Sequence, residues 1–134
     1  MKKKVILLVI CLILIAINII LINNKSNKGN EKELNNNLEI LGKEFYKSYY
    51  KTQCETQENL EEFLKGFEET GITINLSNLS NVLKETEHKK IIDSMYNSKT
   101  KAYCDYKKTN VTIYPKSPYG VEDYTIKTYL ECGF

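Results

Sequence analysis

The chain has 134 residues, with 19 Lys and no Arg against 17 acids, a net charge of +2, ten Tyr and no Trp. Charge is uneven: residues 1–30 hold five Lys and no acid, and residues 31–134 hold fourteen Lys against seventeen acids. A mildly acidic body excludes the basic face that nucleic acid requires, and the absence of Arg removes bidentate recognition of phosphate or carboxylate.

After the basic start Met1-Lys2-Lys3-Lys4, residues 5–22 read VILLVICLILIAINIILI, interrupted only by Asn18. At about 1.5 Å per residue they reach roughly 27 Å, close to the thickness of a bilayer core. The lysines before the run predict a cytoplasmic N-terminus and an extracytoplasmic C-terminal part, a single-pass signal anchor in the cell membrane. A cleaved signal peptide is the rival. Its apolar region is roughly 7–15 residues long and ends in a small-x-small site, whereas the exit here is Asn23-Asn24-Lys25-Ser26. A lipoprotein cysteine at Cys11 is disfavoured by the bulky Ile10 before it. Residues 23–30 read as a flexible, solvated linker. Residues 31–134 are long enough for one domain with one core.

Residues 31–52 are expected to form an amphipathic helix with Leu34, Leu38, Leu41, Phe45 and Tyr49 on one face. Gly42 inside it costs about 1 kcal/mol relative to Ala and points to close packing against a neighbour. Gln53-Cys54-Glu55 reads as a connection, and Thr56 as the cap of a second helix carrying Leu60, Phe63, Leu64 and Phe67. Gly71 is placed to end that helix, and the two helices are expected to form a hairpin. Ile72 to Leu76 alternates as a short strand. Ser77 and Ser80 can cap a helical turn with Leu79, Val82 and Leu83. Residues 88–97 predict a third, weaker helix through Ile91, Ile92, Met95 and Tyr96.

Residues 110–114 and 123–131 are the clearest strands. Pairing Val111 with Ile126 and Ile113 with Tyr124 gathers the apolar positions on one face. The fold class is α+β: helices packed on one face of a small antiparallel sheet that ends in a C-terminal hairpin, behind the membrane helix. The same register brings Cys132 opposite residue 105, next to Cys104 but with the wrong parity; a bulge or break within residues 105–109 would repair it. An exported domain meets oxidising conditions, so a Cys104–Cys132 disulfide is expected. Cys54 is then the odd thiol, either buried and inert, paired between chains, or reactive.

For chemistry, Cys54 with His88, the single His, is a conceivable thiol pair, and Glu55 beside Cys54 carries the wrong charge to activate it. Zinc ligation by Cys54, His88, Cys104 and Cys132 lacks short paired spacings. Glu61-Glu62 and Glu68-Glu69 read as a solvated helix face. No cofactor or metal is implied. Asn75, Asn78 and Asn110 head Asn-x-Ser/Thr triplets, which matter only in a eukaryotic secretory route. One segment has interaction character: Tyr114 to Tyr124, where Tyr114, Pro115, Pro118, Tyr119 and Tyr124 surround a Pro-stiffened loop. The alternative is an ordinary hairpin loop whose tyrosines pack onto the sheet.

The C-terminal CDYKKTNVTIYPKSPYGVEDYTIKTYLECGF and the helical LGKEFYKSYY resemble parts of small signal-anchored envelope proteins of low-GC Gram-positive-type bacteria. That resemblance implies a compartment and no activity. The layout is also loosely similar to type IV pilins and pseudopilins. It departs from them where a prepilin has Gly before its apolar run and Glu early within it: here Lys4 precedes Val5, and the first acid is Glu31. The leading expectation is an extracytoplasmic binding or envelope-assembly module, held by residues 5–22 and meeting an envelope protein in an oligomeric state left open. A pilin-like structural subunit and a thiol enzyme using Cys54 are the alternatives.

Overall fold

The computed structural model describes Ile13, Leu14 and residues 29–134. The predicted span over residues 5–22 otherwise lies outside the described residues. Among those described, no helix is long and apolar enough to cross a membrane.

Helix α1 spans Glu31–Thr56 and α2 Leu60–Lys65. Strand β1 (Ile72–Asn75) runs straight into α3 (Leu76–Val82), and α4 covers Thr86–Asp93. Strands β2 (Asn110–Pro115) and β3 (Tyr124–Tyr129) follow. The order β1-β2-β3 makes an antiparallel three-stranded sheet with β2 in the middle. Helix α1 packs on β2 and β3, which gives the expected α+β arrangement of helices on one sheet face.

Leu34, Leu38, Leu41, Tyr46, Leu76, Leu79, Met95, Val111 and Ile113 fill the core. Gly42 is buried among them. A Cβ there would lie 2.8 Å from Val111 Cγ2 and 2.9 Å from Ile126 Cδ1, so the close packing foreseen at this glycine is against the sheet. Across the outer face, Thr73 and Thr112 hydroxyls meet at 2.8 Å, and Lys127 Nζ sits 5.2 Å from the Tyr114 ring centroid.

Several expectations are corrected. Helix α1 runs through Gln53, Cys54 and Glu55 to Thr56. At about 1.5 Å per residue its 26 residues reach about 39 Å, and six-residue strands reach about 20 Å. The helix therefore outruns the sheet, and its last turns, Cys54 included, are exposed. The buried stripe ends at Tyr46, with Phe45 and Tyr49 half-buried beside it. The cap of α2 is Asn59, whose side chain accepts from Glu62 N at 3.2 Å, because helical Thr56 instead donates its hydroxyl back to Thr52 O. Asn75, not Ser77 or Ser80, caps α3 by accepting from Asn78 N at 2.8 Å, and Val82 is exposed. Helix α4 stops at Asp93, where Ser94 turns its hydroxyl onto Ile91 O; Met95 and Tyr96 lie beyond it.

The hairpin register is shifted by two. Val111 pairs with Thr128, Ile113 with Ile126, and Pro115 with Tyr124. Strand β2 runs one residue further than expected, and the loop closes through Lys116 N to Asp123 O at 2.9 Å. An even shift keeps every side chain on its predicted face.

Candidate functional site

The exposed flank of α1 and the elbow between α3 and α4 bound a furrow. Its larger part, about 480 Å³, is walled by Glu44, Lys47, Ser48 and Lys51 on α1 and by Val82, Leu83, Lys84, Glu85 and His88 opposite. A narrower part of about 200 Å³ continues over Phe45, Tyr49, Thr52 and Gln53, sharing Ser48, Val82 and Leu83. The floor is apolar where Phe45, Tyr49 and Leu83 meet. Val82 stands on the rim at 54% exposure.

Local sequence explains this shape. Residues 44, 47, 48 and 51 recur at spacings of three, one and three, so they share the flank of α1 beside its buried stripe. Leu83 leaves α3 in an extended conformation (φ −92°, ψ 93°), which turns the chain into α4 and sets Lys84 and Glu85 over the furrow.

The electrostatics are mixed. Lys47 Nζ donates to Glu44 at 2.9 Å, and that bond raises the lysine above its ordinary range. Lys51 and Lys84 make no ion pair among the described residues. His88 is largely covered; its Nδ1 lies 3.8 Å from Glu85 Oε2, beyond hydrogen-bond reach, and has no hydrogen-bond partner among the described residues. The furrow thus offers an apolar strip edged by Lys51 and Lys84, with Lys47 taken up by Glu44 and with Glu85 beside His88, an arrangement that can hold an extended segment carrying an apolar side chain next to an acid.

Cys54 does not line the furrow that His88 lines. It is exposed on the last turns of α1, so the buried-thiol expectation is corrected, and its near neighbour is Tyr50. Burial first, then the adjacent Cys54 and a hydrogen bond to it, raise the Tyr50 hydroxyl above its ordinary range. No group of three His, Cys, Asp or Glu among the described residues is placed to hold a metal ion.

Cys104 and Cys132 are bonded through their sulfurs and buried in the core. The break foreseen between residues 105 and 109 is present. Asp105 Oδ1 accepts from Lys107 N at 2.8 Å and Lys108 N at 3.0 Å, and Thr109 N donates back to Asp105 O at 2.8 Å. Those bonds from the Lys108 and Lys107 amides hold the Asp105 carboxyl below the usual carboxylate range. Asp105 N then reaches Glu131 O at 2.7 Å, which aligns the two cysteines.

The tyrosine loop is packed down rather than displayed. Tyr119 is buried at φ 63°, and its hydroxyl donates to Glu68 at 2.9 Å. Pro115 is buried as the last residue of β2, Tyr114 is half-buried, and Tyr124 meets Tyr46 edge-on at 4.9 Å between centroids. Pro118, after a cis Ser117–Pro118 bond, is exposed. Burying these rings and pairing Tyr119 with Glu68 stabilises the loop against the turn that follows α2 more than exposure would. The furrow, by contrast, was not foreseen from the sequence. Its signal was Lys47 and Lys51 four apart on a helix, which reads equally as a solvated flank. No family model, curated protein or solved structure matches this chain.

Proposed function

We propose that the chain is a single-pass membrane protein whose extracytoplasmic α+β domain acts by binding, as an accessory module of envelope assembly. The apolar run 5–22 behind three lysines supports the anchor and its orientation. The observation that carries the binding reading is the furrow, with Val82 exposed on its rim beside Lys51 and Lys84. An apolar side chain that wets in the free domain and an adjoining cationic edge favour a partner segment with the complementary pair of features. The partner is an acidic stretch of another envelope protein.

Cys54 serves as a natural topology probe, because it is exposed. In a Cys11→Ser background, a membrane-impermeant maleimide should label Cys54 on intact cells; labelling that requires lysis would refute the orientation. A photo-crosslinker at Ser48, inside the furrow, should form an adduct that a crosslinker at Lys127, on the outer sheet face, does not. Val82→Asp should weaken the Ser48 adduct about tenfold, the equivalent of losing one buried valine contact. Equal labelling at both sites, or indifference to Val82→Asp, removes the furrow from the mechanism.

A further inference from the structure

The end of the domain where the chain enters is built from three separate segments. Asn30, immediately before α1, donates from Nδ2 to Tyr96 O at 2.9 Å and accepts from Ser98 N at 2.8 Å. Asn97 is buried; it accepts from Lys99 N at 2.9 Å and donates to Gly133 O at 3.1 Å. The entry point, the turn after α4 and the segment following the disulfide are thereby fixed to one another.

This end displays aromatic rings. Tyr103 is 66% exposed and Phe134 52% exposed. The Tyr96 and Tyr103 rings lie 5.7 Å apart across an isolated antiparallel bridge, and Lys101 Nζ stands 5.9 Å from the Tyr96 ring centroid. Tyr96, Lys101 and Tyr103 line an open hollow of about 300 Å³.

We infer that this end is a bilayer-docking face: the rings of Tyr96, Tyr103 and Phe134 enter the headgroup region, and Lys101 beside them meets the phosphates of anionic lipid. The inference rests on the anchor reading above. Eight residues, 23–30, separate the predicted span from α1, a tether that reaches at most about 29 Å. So short a tether keeps the face beside the bilayer at high effective concentration. Tyrosine beside lysine is the pairing that settles at a membrane–water boundary, where a ring buries its body and keeps its hydroxyl wet. With this end down, α1 rises from the surface, and Ser48 in the furrow stands about 25 Å further along its axis from Glu31. Docking therefore presents the furrow outward.

The absence of Trp makes the test direct. The full chain carrying Tyr103→Trp is reconstituted into vesicles of phosphatidylglycerol and phosphatidylcholine, or of phosphatidylcholine alone. Val121→Trp, at the opposite end of the hairpin, is the comparison. Vesicle flotation first reports whether the chain is anchored at all; a chain that fails to float overturns the anchor reading and the docking with it. In floated protein, Trp at 103 should emit to the blue of Trp at 121 and be quenched by lipid brominated near the headgroup. Lys101→Glu should lower the preference for anionic vesicles about fivefold. Floated protein in which Trp at 103 is as exposed as Trp at 121 overturns the docking while leaving the anchor intact. So does quenching equal in both vesicle types, or shielding at 103 that depends on protein concentration alone, which would assign the face to a second copy of the chain.

Discussion

Gly42 and Val111 touch across the helix–sheet interface so closely that a Cβ on Gly42 would fall 2.8 Å from Val111 Cγ2. The contact fixes how deeply α1 lies on β2. It also reverses the ordinary preference for Ala over Gly inside a helix.

Gly42→Ala gains about 1 kcal/mol in helix propensity and meets about 1–3 kcal/mol of overpacking. The expected result is a net loss of about 1 kcal/mol by urea denaturation. Gly42→Ala with Val111→Ala should lose less than the sum of the two single changes, because the added methyl fills the space that the shortened valine leaves.

The Cys104–Cys132 bond closes a loop with a sequence separation of 28. On the chain-entropy account it contributes about 3–4 kcal/mol. Replacing both cysteines with Ser should cost that amount in urea or thermal unfolding, and reductant should have the same effect on the unaltered domain. Cys54→Ser should leave the midpoint unchanged, since the thiol is exposed. Non-reducing peptide mass spectrometry should recover the 104–132 linkage; a crosslink involving Cys54 would refute the pairing.

Asp105 holds its turn by accepting from two backbone amides, and its carboxyl titrates below the usual range. A lowered folded-state value means a contribution present above the unfolded carboxyl pKa, about 3.9, and lost as pH falls through the folded value. Asp105→Asn keeps an acceptor oxygen for the turn and cannot ionise. The urea midpoint of this variant should fall less steeply below about pH 4 than that of the parent, as a denaturation series in acid would show.

Tyr46 is fully covered, its hydroxyl has no hydrogen-bond partner among the described residues, and burial, then its neighbours Tyr50 and Tyr49, pushes it up to about 12. The raised value means stability present below the unfolded tyrosine pKa, about 10, and lost as pH rises toward the folded value. Tyr46→Phe removes a desolvated polar group and should stabilise the domain by about 1 kcal/mol at neutral pH. It should also blunt alkaline unfolding, measured by circular dichroism between about pH 9 and 12.

Much of the core was legible because periodicity reports which side of an element is dry. Leu34, Leu38 and Leu41 recur at helical spacing, and Val111, Ile113 and Ile126 at strand spacing; each set is buried or half-buried where it was expected. Gly71 has the left-handed φ expected of it, 71°, but it does not end the helix as expected: α2 already stops at Lys65, capped by Gly66, and Phe67 lies beyond it. Asp105, with two amides within reach of one oxygen, supplies the break that the cysteine parity required. Interaction residues were less legible. Tyr119 has the composition of a displayed ring, but its burial depends on Glu68, 51 residues earlier in the chain. Lys47 and Val82 acquire a shared surface only when α3 and α4 fold back beside α1.

By itself, the sequence determined the α+β class, the faces of the strands, the long first helix and the pairing of Cys104 with Cys132, because local spacing and residue chemistry fix dry faces and crosslink partners. The tertiary structure alone decided the two-residue register shift, the overhang that exposes Cys54, the furrow beside Val82 and the aromatic end around Tyr103. Each of these depends on where one finished element stops against another. That is set by relative lengths and by packing between residues far apart in the chain, which no local pattern encodes.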